Sequence, residues 1–221
     1  MAKTGTKRAK RAPQEARSRP GRPKDEAKGS AILQAAGNCF LRHGLEGASM
    51  DAIAREAGVS KLTVYSHFQS KEALFKQVIG AKCGEFSPPE SFLALAGQEP
   101  RKALTRIASS FMGLMLDPQV LAMHRVVTGE SANSPKVAQL MYEAGPAPVM
   151  TAFAELLRAH DTKGLLEVRE PERAADHFFH MLKGDLFFRA LLNIGKAPPE
   201  AEVRRHVEDC VDVFLRAYAP R

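Results

Sequence analysis

Residues 49–68, SMDAIAREAGVSKLTVYSHF, carry the side chains whose types and spacing can do chemistry. Ser49 and Ser60 each precede a short helix-forming run. A serine hydroxyl there accepts from backbone N–H groups that a helix start leaves unbonded. Gly58, between the runs, stands where a tight turn asks for positive φ, which glycine adopts at little cost. Ile53, Ala57, Val59, Val64 and Phe68 supply an apolar wedge, and Ala54 is small enough for two helices to cross closely. This is the logic of a helix-turn-helix, whose second helix enters the DNA major groove. At its leading end Lys61 can donate to guanine O6 and N7, Thr63 can meet a base edge or a thymine methyl, and His67 can bond an acceptor or a phosphate. Ser49 caps a helix N-terminus whose free N–H groups suit a phosphate. Val64 and Phe68 read as core, and Leu62 either meets a thymine methyl or stands exposed. An αα-hairpin in an ordinary bundle has the same pattern, so these residues alone leave both readings open.

Helices must position this segment, and the chain reads as helical from about residue 25 onwards. Leu33, Ala36, Phe40 and Leu41 share one helical face, and Gly44 suits the end of that helix. Ser49, Ser60 and Ser70 open helices expected at 50–57, 61–68 and 71–86. Further helices are expected at 91–97, 101–116 and 119–130. Another spans 135–160, broken by the Gly145-Pro146 step, and two more lie at 171–194 and from 198 to about 218. No stretch alternates with period two for long enough to argue a sheet. The fold class is all-α: a three-helix helix-turn-helix domain and a larger helical domain.

Charge is segregated. Residues 1–28 hold ten Lys and Arg against three acids, while the remainder holds 22 of each sign, so the net +7 belongs to one end. Before Ile32 there is no Val, Ile, Leu, Phe, Trp or Tyr. Such a segment buries too little apolar area to offset its ordering entropy and is expected to be disordered alone. Arms of this kind lie in the DNA minor groove, with Arg22 drawn by its negative potential; a solvated solubility tail has the same composition. The three cysteines offer no CxxC pair, which excludes a thiolate zinc site and favours a reducing cytosol. No apolar run approaches membrane-spanning length and no secretory pattern opens the chain, so no membrane partner and a cytoplasmic location are expected, nucleoid-associated when DNA-bound. No GxSxG, HExxH, Walker A or GxGxxG motif is present, so neither an enzyme nor a bound cofactor is expected. His177 and His180 share a face near Asp176 without a further clustered ligand, and no metal site is assigned.

The block 32–79 resembles the DNA-binding domain of the TetR/AcrR family of bacterial transcriptional regulators. The matching residues are Ile32-Leu33-Gln34-Ala35-Ala36, Phe40 with Gly44, Met50-Asp51-Ala52-Ile53-Ala54 and Ala57-Gly58-Val59-Ser60. They continue through Thr63-Val64-Tyr65-Ser66-His67-Phe68 and Ser70-Lys71-Glu72-Ala73-Leu74-Phe75. Arg125-Val126-Val127 with Glu130, and 142–147 (YEAGPA), look like AefR-like effector domains. The resemblance implies a homodimeric repressor on a palindromic double-stranded operator. An effector in the C-terminal domain would change the spacing of two DNA-reading heads. It also implies that Tyr65 and Lys71 contact the phosphate backbone. The DNA-binding set is then Arg22, Ser49, Ser60, Lys61, Thr63, Tyr65, Ser66, His67 and Lys71.

The second half suits an effector. Five of the eight methionines fall between 112 and 150, and methionine repacks around varied apolar shapes. Phe86, Phe111, Met112, Met115, Met123, His124, Val127, Tyr142 and Met150 are the expected lining, with Arg125 a further polar group, for a small apolar or amphipathic molecule. A plain methionine-rich core reads the same way, as does a constitutive or architectural regulator without an effector. The 171–194 helix is apolar around most of its circumference, so it must be buried on two sides. With the last helix it is expected to form a four-helix bundle across a twofold axis, using Phe179, Leu182, Leu186, Phe187, Val207, Val211 and Phe214, with Gly184 allowing close backbone approach. Cys83 is a weak candidate redox sensor. The expected organisation is a basic arm at 1–25, a DNA-binding domain at 26–86 and a ligand-binding and dimerisation domain at 87–221.

Overall fold

Caps and prolines mark nearly every helix boundary. The computed structural model describes residues 22–86 and 88–220 and, among them, ten α-helices, two 3-10 turns and no strand. The helices are α1 (Arg22–Gly47), α2 (Met50–Glu56), α3 (Lys61–His67), α4 (Lys71–Phe86), α5 (Pro100–Met115), α6 (Pro118–Ser131), α7 (Pro135–Ala144), α8 (Pro146–Thr162), α9 (Pro171–Leu191) and α10 (Glu200–Tyr218). The helices α5 to α9 all start on proline, whose missing N–H costs nothing at a first helical position. Asp117 accepts from the N–H groups of Gln119 and Val120 at 2.9 and 3.1 Å to cap α6. The expected 91–97 helix is instead two 3-10 turns, Pro89–Ser91 and Leu93–Leu95, under which Phe92 and Leu95 are buried.

Two helices are bent at glycine. Gly44 has φ 69° and ψ −178°, so α1 breaks there and the last residues turn away. Gly184 has φ 41° and ψ −152° inside α9. Beside this kink, His206 Nε2 on α10 donates to the Leu182 carbonyl at 2.8 Å. Gly184 was expected to let backbones approach; what crowds it is the His206 ring, 3.3 Å from where a Cβ would stand.

Two large apolar cores result, beside a small cluster of Leu114, Met115 and Val120. The first joins Ile32, Ala36 and Phe40 of α1, Ile53 and Ala54 of α2, Val64 of α3, and Leu74, Phe75 and Ile79 of α4. Phe40 and Phe75 meet edge to face with centroids 5.3 Å apart. This core is not closed by its own four helices, because Met123 and Val127 of α6 and Val137 of α7 complete it. The second core joins α5, α8, α9 and α10 around Phe153, Phe178, Phe179 and Phe214. The rings of Phe153 and Phe178 stack at 4.8 Å.

Candidate nucleic-acid interface and effector cavity

The 49–68 segment folds as its local chemistry dictates. Ser49 accepts from Ala52 N at 3.2 Å and Ser60 from Thr63 N at 3.1 Å, so both helices are capped by serine. At the end of α2, Gly58 N bonds Arg55 O at 3.3 Å and Val59 N bonds Ala54 O at 3.0 Å. That is a Schellman turn, and it needs Gly58 in the left-handed region at φ 66°. Val64 turns fully inward, which sends Leu62 (80% exposed) and Tyr65 (45% exposed) outward on the opposite face of α3.

The candidate DNA residues fall into two groups. Lys61, Tyr65 and Ser66 stand on the exposed face. Lys61 Nζ lies 2.9 Å from Asp51 Oδ2 in a solvent-exposed pair of the kind that opens easily. Thr63 is half-buried with its hydroxyl 2.8 Å from that of Ser60, and Ser66 donates to Thr63 O at 2.8 Å. Lys71 has a structural task as well: its ammonium donates to the carbonyls of Glu46 and Ala48, at 3.2 and 3.0 Å, and so holds the α1–α2 connection. His67 is half-buried near α1, where a Cβ on Gly29 would sit 3.6 Å from its Nδ1. The side chain of Arg22 lies outside the described residues.

The head helices α1 and α4 meet α6 and α7 at a polar joint. The Glu130 carboxylate on α6 accepts from the backbone N–H groups of Leu45 and Glu46 at 2.9 and 3.3 Å. It fits because residue 44 has no Cβ; one there would lie 1.9 Å from Glu130 Oε1. Lys136 pairs with Glu72 at 2.8 Å and Lys76 with Glu143 at 2.7 Å across the same seam.

Above the joint lies a cavity of about 650 Å³ walled by helices α1 and α4 to α9. It contains six of the nine expected lining residues: Phe111, Met115, Met123, His124, Tyr142 and Met150. Met112 does not belong: α5 turns Phe111, Leu114 and Met115 to the cavity, which directs Met112 with Leu104 and Ala108 into the second core. Val127 lies one turn beyond Met123, inside the first core. The side chain of Phe86 lies outside the described residues. Arg125 is not a cavity group either. It donates to the carbonyls of Leu191 and Ala190 at 2.7 and 2.8 Å and so caps the end of α9.

The wall that sequence reading missed is α9. Asp176, Phe179, His180 and Lys183 line the cavity at helical spacing. The many apolar residues of that helix hid this stripe. His180 Nδ1 lies 3.1 Å from Asp176 Oδ1, and His177 turns elsewhere, its Nδ1 3.2 Å from the Tyr218 hydroxyl. Burial, with Lys183 nearby, pushes the His124 imidazole down to about 4, so it is neutral at pH 7. Burial also lowers the Lys183 ammonium and raises the Cys83 thiol. The latter weighs against the sensor role, because reactivity requires thiolate.

The expected subunit face is corrected in the same way. Phe179, Leu182, Leu186, Val207, Val211 and Phe214 are buried in the chain's own core, so they have no area to offer a partner. Phe187 turns to His124, ring centroids 5.4 Å apart. The apolar side chains left exposed on the outer face are Phe188, Leu192 and Ile194 at the end of α9 and Val213 on α10.

Two family models match separate parts of the chain. Residues 32–78 match the family model of bacterial regulatory proteins of the tetR family, and residues 102–220 match that of the AefR-like transcriptional repressor C-terminal domain. The solved structure of the flavonoid-responsive regulator FrrA is 32% identical, with a TM-score of 0.68, covering 89% of this chain and 99% of that one. A TetR family transcriptional regulator from Pseudomonas syringae pv. tomato is 30% identical, with a TM-score of 0.63, covering 86% and 95%. The HTH-type transcriptional activator FasR of Mycolicibacterium smegmatis is 39% identical over 80 residues, which span 36% of either chain. A two-core, all-helical chain with a serine-capped helix-turn-helix at one end is thus a DNA-binding transcriptional regulator. It belongs to the tetR family and carries an AefR-like C-terminal domain.

Proposed function

We propose that the protein is an effector-controlled repressor that binds a palindromic operator as a homodimer. Residues 26–86 act as the DNA-binding unit and 87–221 as the ligand-binding and dimerisation unit. The observation that carries this reading is the shared cavity: α1 and α4, whose side chains form the core on which Val64 of α3 is buried, are also two of its walls. A molecule bound there changes the packing of the DNA-reading head directly. Lys61 and Thr63 read base edges, with Tyr65, Ser66, His67 and the capped start of α2 on phosphates. The reading assigns the chain no chemical turnover and a cytoplasmic place, and no helix among the described residues is long and apolar enough to cross a membrane.

Dimerisation rests on the face bearing Phe188, Leu192, Ile194 and Val213, since large exposed apolar side chains on adjacent helices mark an interface. Repression, rather than activation, follows the description of the C-terminal family. The name of FrrA makes flavonoids the first effector library to screen. The test is fluorescence anisotropy on DNA flanking the gene. Wild-type protein should bind one fragment and release it on effector addition. Tyr65→Ala should lose about tenfold or more in affinity at an unchanged melting temperature. Specific binding that survives Tyr65→Ala removes Tyr65 from the contact set, and absence of any specific fragment overturns the proposal.

A further inference from the structure

One cation on the cavity wall has no ion-pair partner among the described residues. Lys82 pairs with Glu85 at 3.0 Å and Asp117 at 3.4 Å. Asp176 Oδ1 lies 3.1 Å from His180 Nδ1, which is also 2.8 Å from the Asp176 carbonyl. Lys183 lies on the α9 wall, half-buried, and makes no ion pair among the described residues. Its Nζ lies 5.9 Å from the centre of the Phe187 ring, and that ring also packs on His124. Burial lowers its proton affinity because an ammonium loses its hydration there, and the Asp176 carboxylate, beyond ion-pair distance on the same wall, opposes this only in part. The neighbouring imidazole adds no second positive charge at neutral pH. Most of the remaining lining is apolar, including Leu33, Val78, Phe111, Met115 and Val149. A ligand with a single negative head and an apolar body satisfies both features.

We propose that the effector is an amphipathic organic anion whose oxyanion head pairs with Lys183 and whose apolar body fills the cavity between α5 and α8. The assignment rests on effector control as stated above and adds the chemical class of the effector. Other cationic side chains near the cavity already have partners, so the head group is directed to one end of it. His124, held neutral beside Lys183, is free to hydrogen-bond the same head.

Calorimetric titration of the full chain with two matched pairs tests this: decanoate against decan-1-ol, and 4-phenylbenzoate against 4-phenylbenzyl alcohol. Each anion should bind roughly tenfold or more tightly than its neutral twin, as expected for one charge-assisted contact. Lys183→Met should abolish that preference while leaving the neutral twin's affinity in place, and Lys183→Arg should retain it. Equal affinities in the wild type, a preference that survives Lys183→Met, or no binding of either anion overturns the assignment. Operator release is read separately. Preferential anion binding without release overturns effector control but not the ligand class, whereas release driven equally by both twins does the reverse.

Discussion

The recognition segment and the effector cavity are built on opposite plans. The 49–68 segment is contiguous, and its serine caps, Schellman turn and inward Val64 are local features. The cavity draws side chains from Ser30 to Lys183 on seven helices, and no two neighbouring helices would form it alone. The first region can therefore keep its geometry while the second changes. What connects them is the Glu130 joint and the shared walls α1 and α4. A regulator needs a rigid reader and a plastic sensor, and here the difference follows from local against long-range construction.

The comparison can be strained at several points. The largest expected effect belongs to DNA affinity outside the recognition helix. Deleting residues 1–24, which lie outside the described residues save for the first helical turn, should flatten the slope of log K against log salt by roughly 4–7 units for a dimer, if each arm meets two to four phosphates. Base preference should survive at matched occupancy. An unchanged slope would restrict the DNA surface to 49–71.

Next comes the joint. Gly44→Ala should destabilise the protein by about 3 kcal/mol or more, because it adds left-handed strain, meets the Glu130 carboxylate and displaces two of its hydrogen bonds. Denaturant titration would show it, and a loss below about 1 kcal/mol would mean that α1 and α6 are not joined there.

A pH effect should follow from the cavity. The His124 folded-state value of about 4 lies below its unfolded value, so the unfolded chain takes up its proton first. Stability is therefore retained above about pH 6.5 and lost as pH falls towards 4, by roughly 2 kcal/mol after allowance for partial solvation. His160, buried in the second core with its value also lowered by burial, acts in the same direction. Glu72, held at about 2 by the hydrogen bond from Lys136, loses its contribution only in the more acidic window below the usual carboxylate range. His124→Gln should flatten the melting-temperature profile between pH 6.5 and 4 without altering the acidic limb; an unaltered profile would place His124 in water.

The smallest effect separates two glycines of similar φ. Gly58→Ala meets nothing within 4 Å of the new Cβ, so only backbone strain of about 1 kcal/mol is expected. A loss as large as that of Gly44→Ala would show the turn to be crowded rather than merely left-handed.

Much of the head was readable because its signals lie within a few residues of each other. A serine cap bonds an N–H three residues on, and Gly58 serves its own turn. The break at Gly145-Pro146 and the proline starts of α7 and α9 were legible for the same reason, whereas α5 and α6 begin one residue earlier than expected, on Pro100 and Pro118. The 91–97 segment was misread because helix and 3-10 turn share a hydrophobic pattern over so short a run.

In the body, residue type announced burial but not which surface did the burying. Apolarity around α9 was plain, yet the kink at Gly184 and the packing of α10 decided that Leu182, Leu186 and Phe214 face the protein's own core. The same packing left Phe188 and Leu192 outside. Lys183 and Arg125 illustrate the limit most clearly. Both are cations on helices, but one caps a helix end 65 residues away and the other stands in a cavity wall with no ion pair among the described residues. Local hydrogen bonding and helix periodicity are properties of neighbouring residues, so the sequence by itself determined the helices and the reader. Partner choice for a charge or an aromatic ring depends on chain segments distant in sequence, and only the tertiary structure decided it.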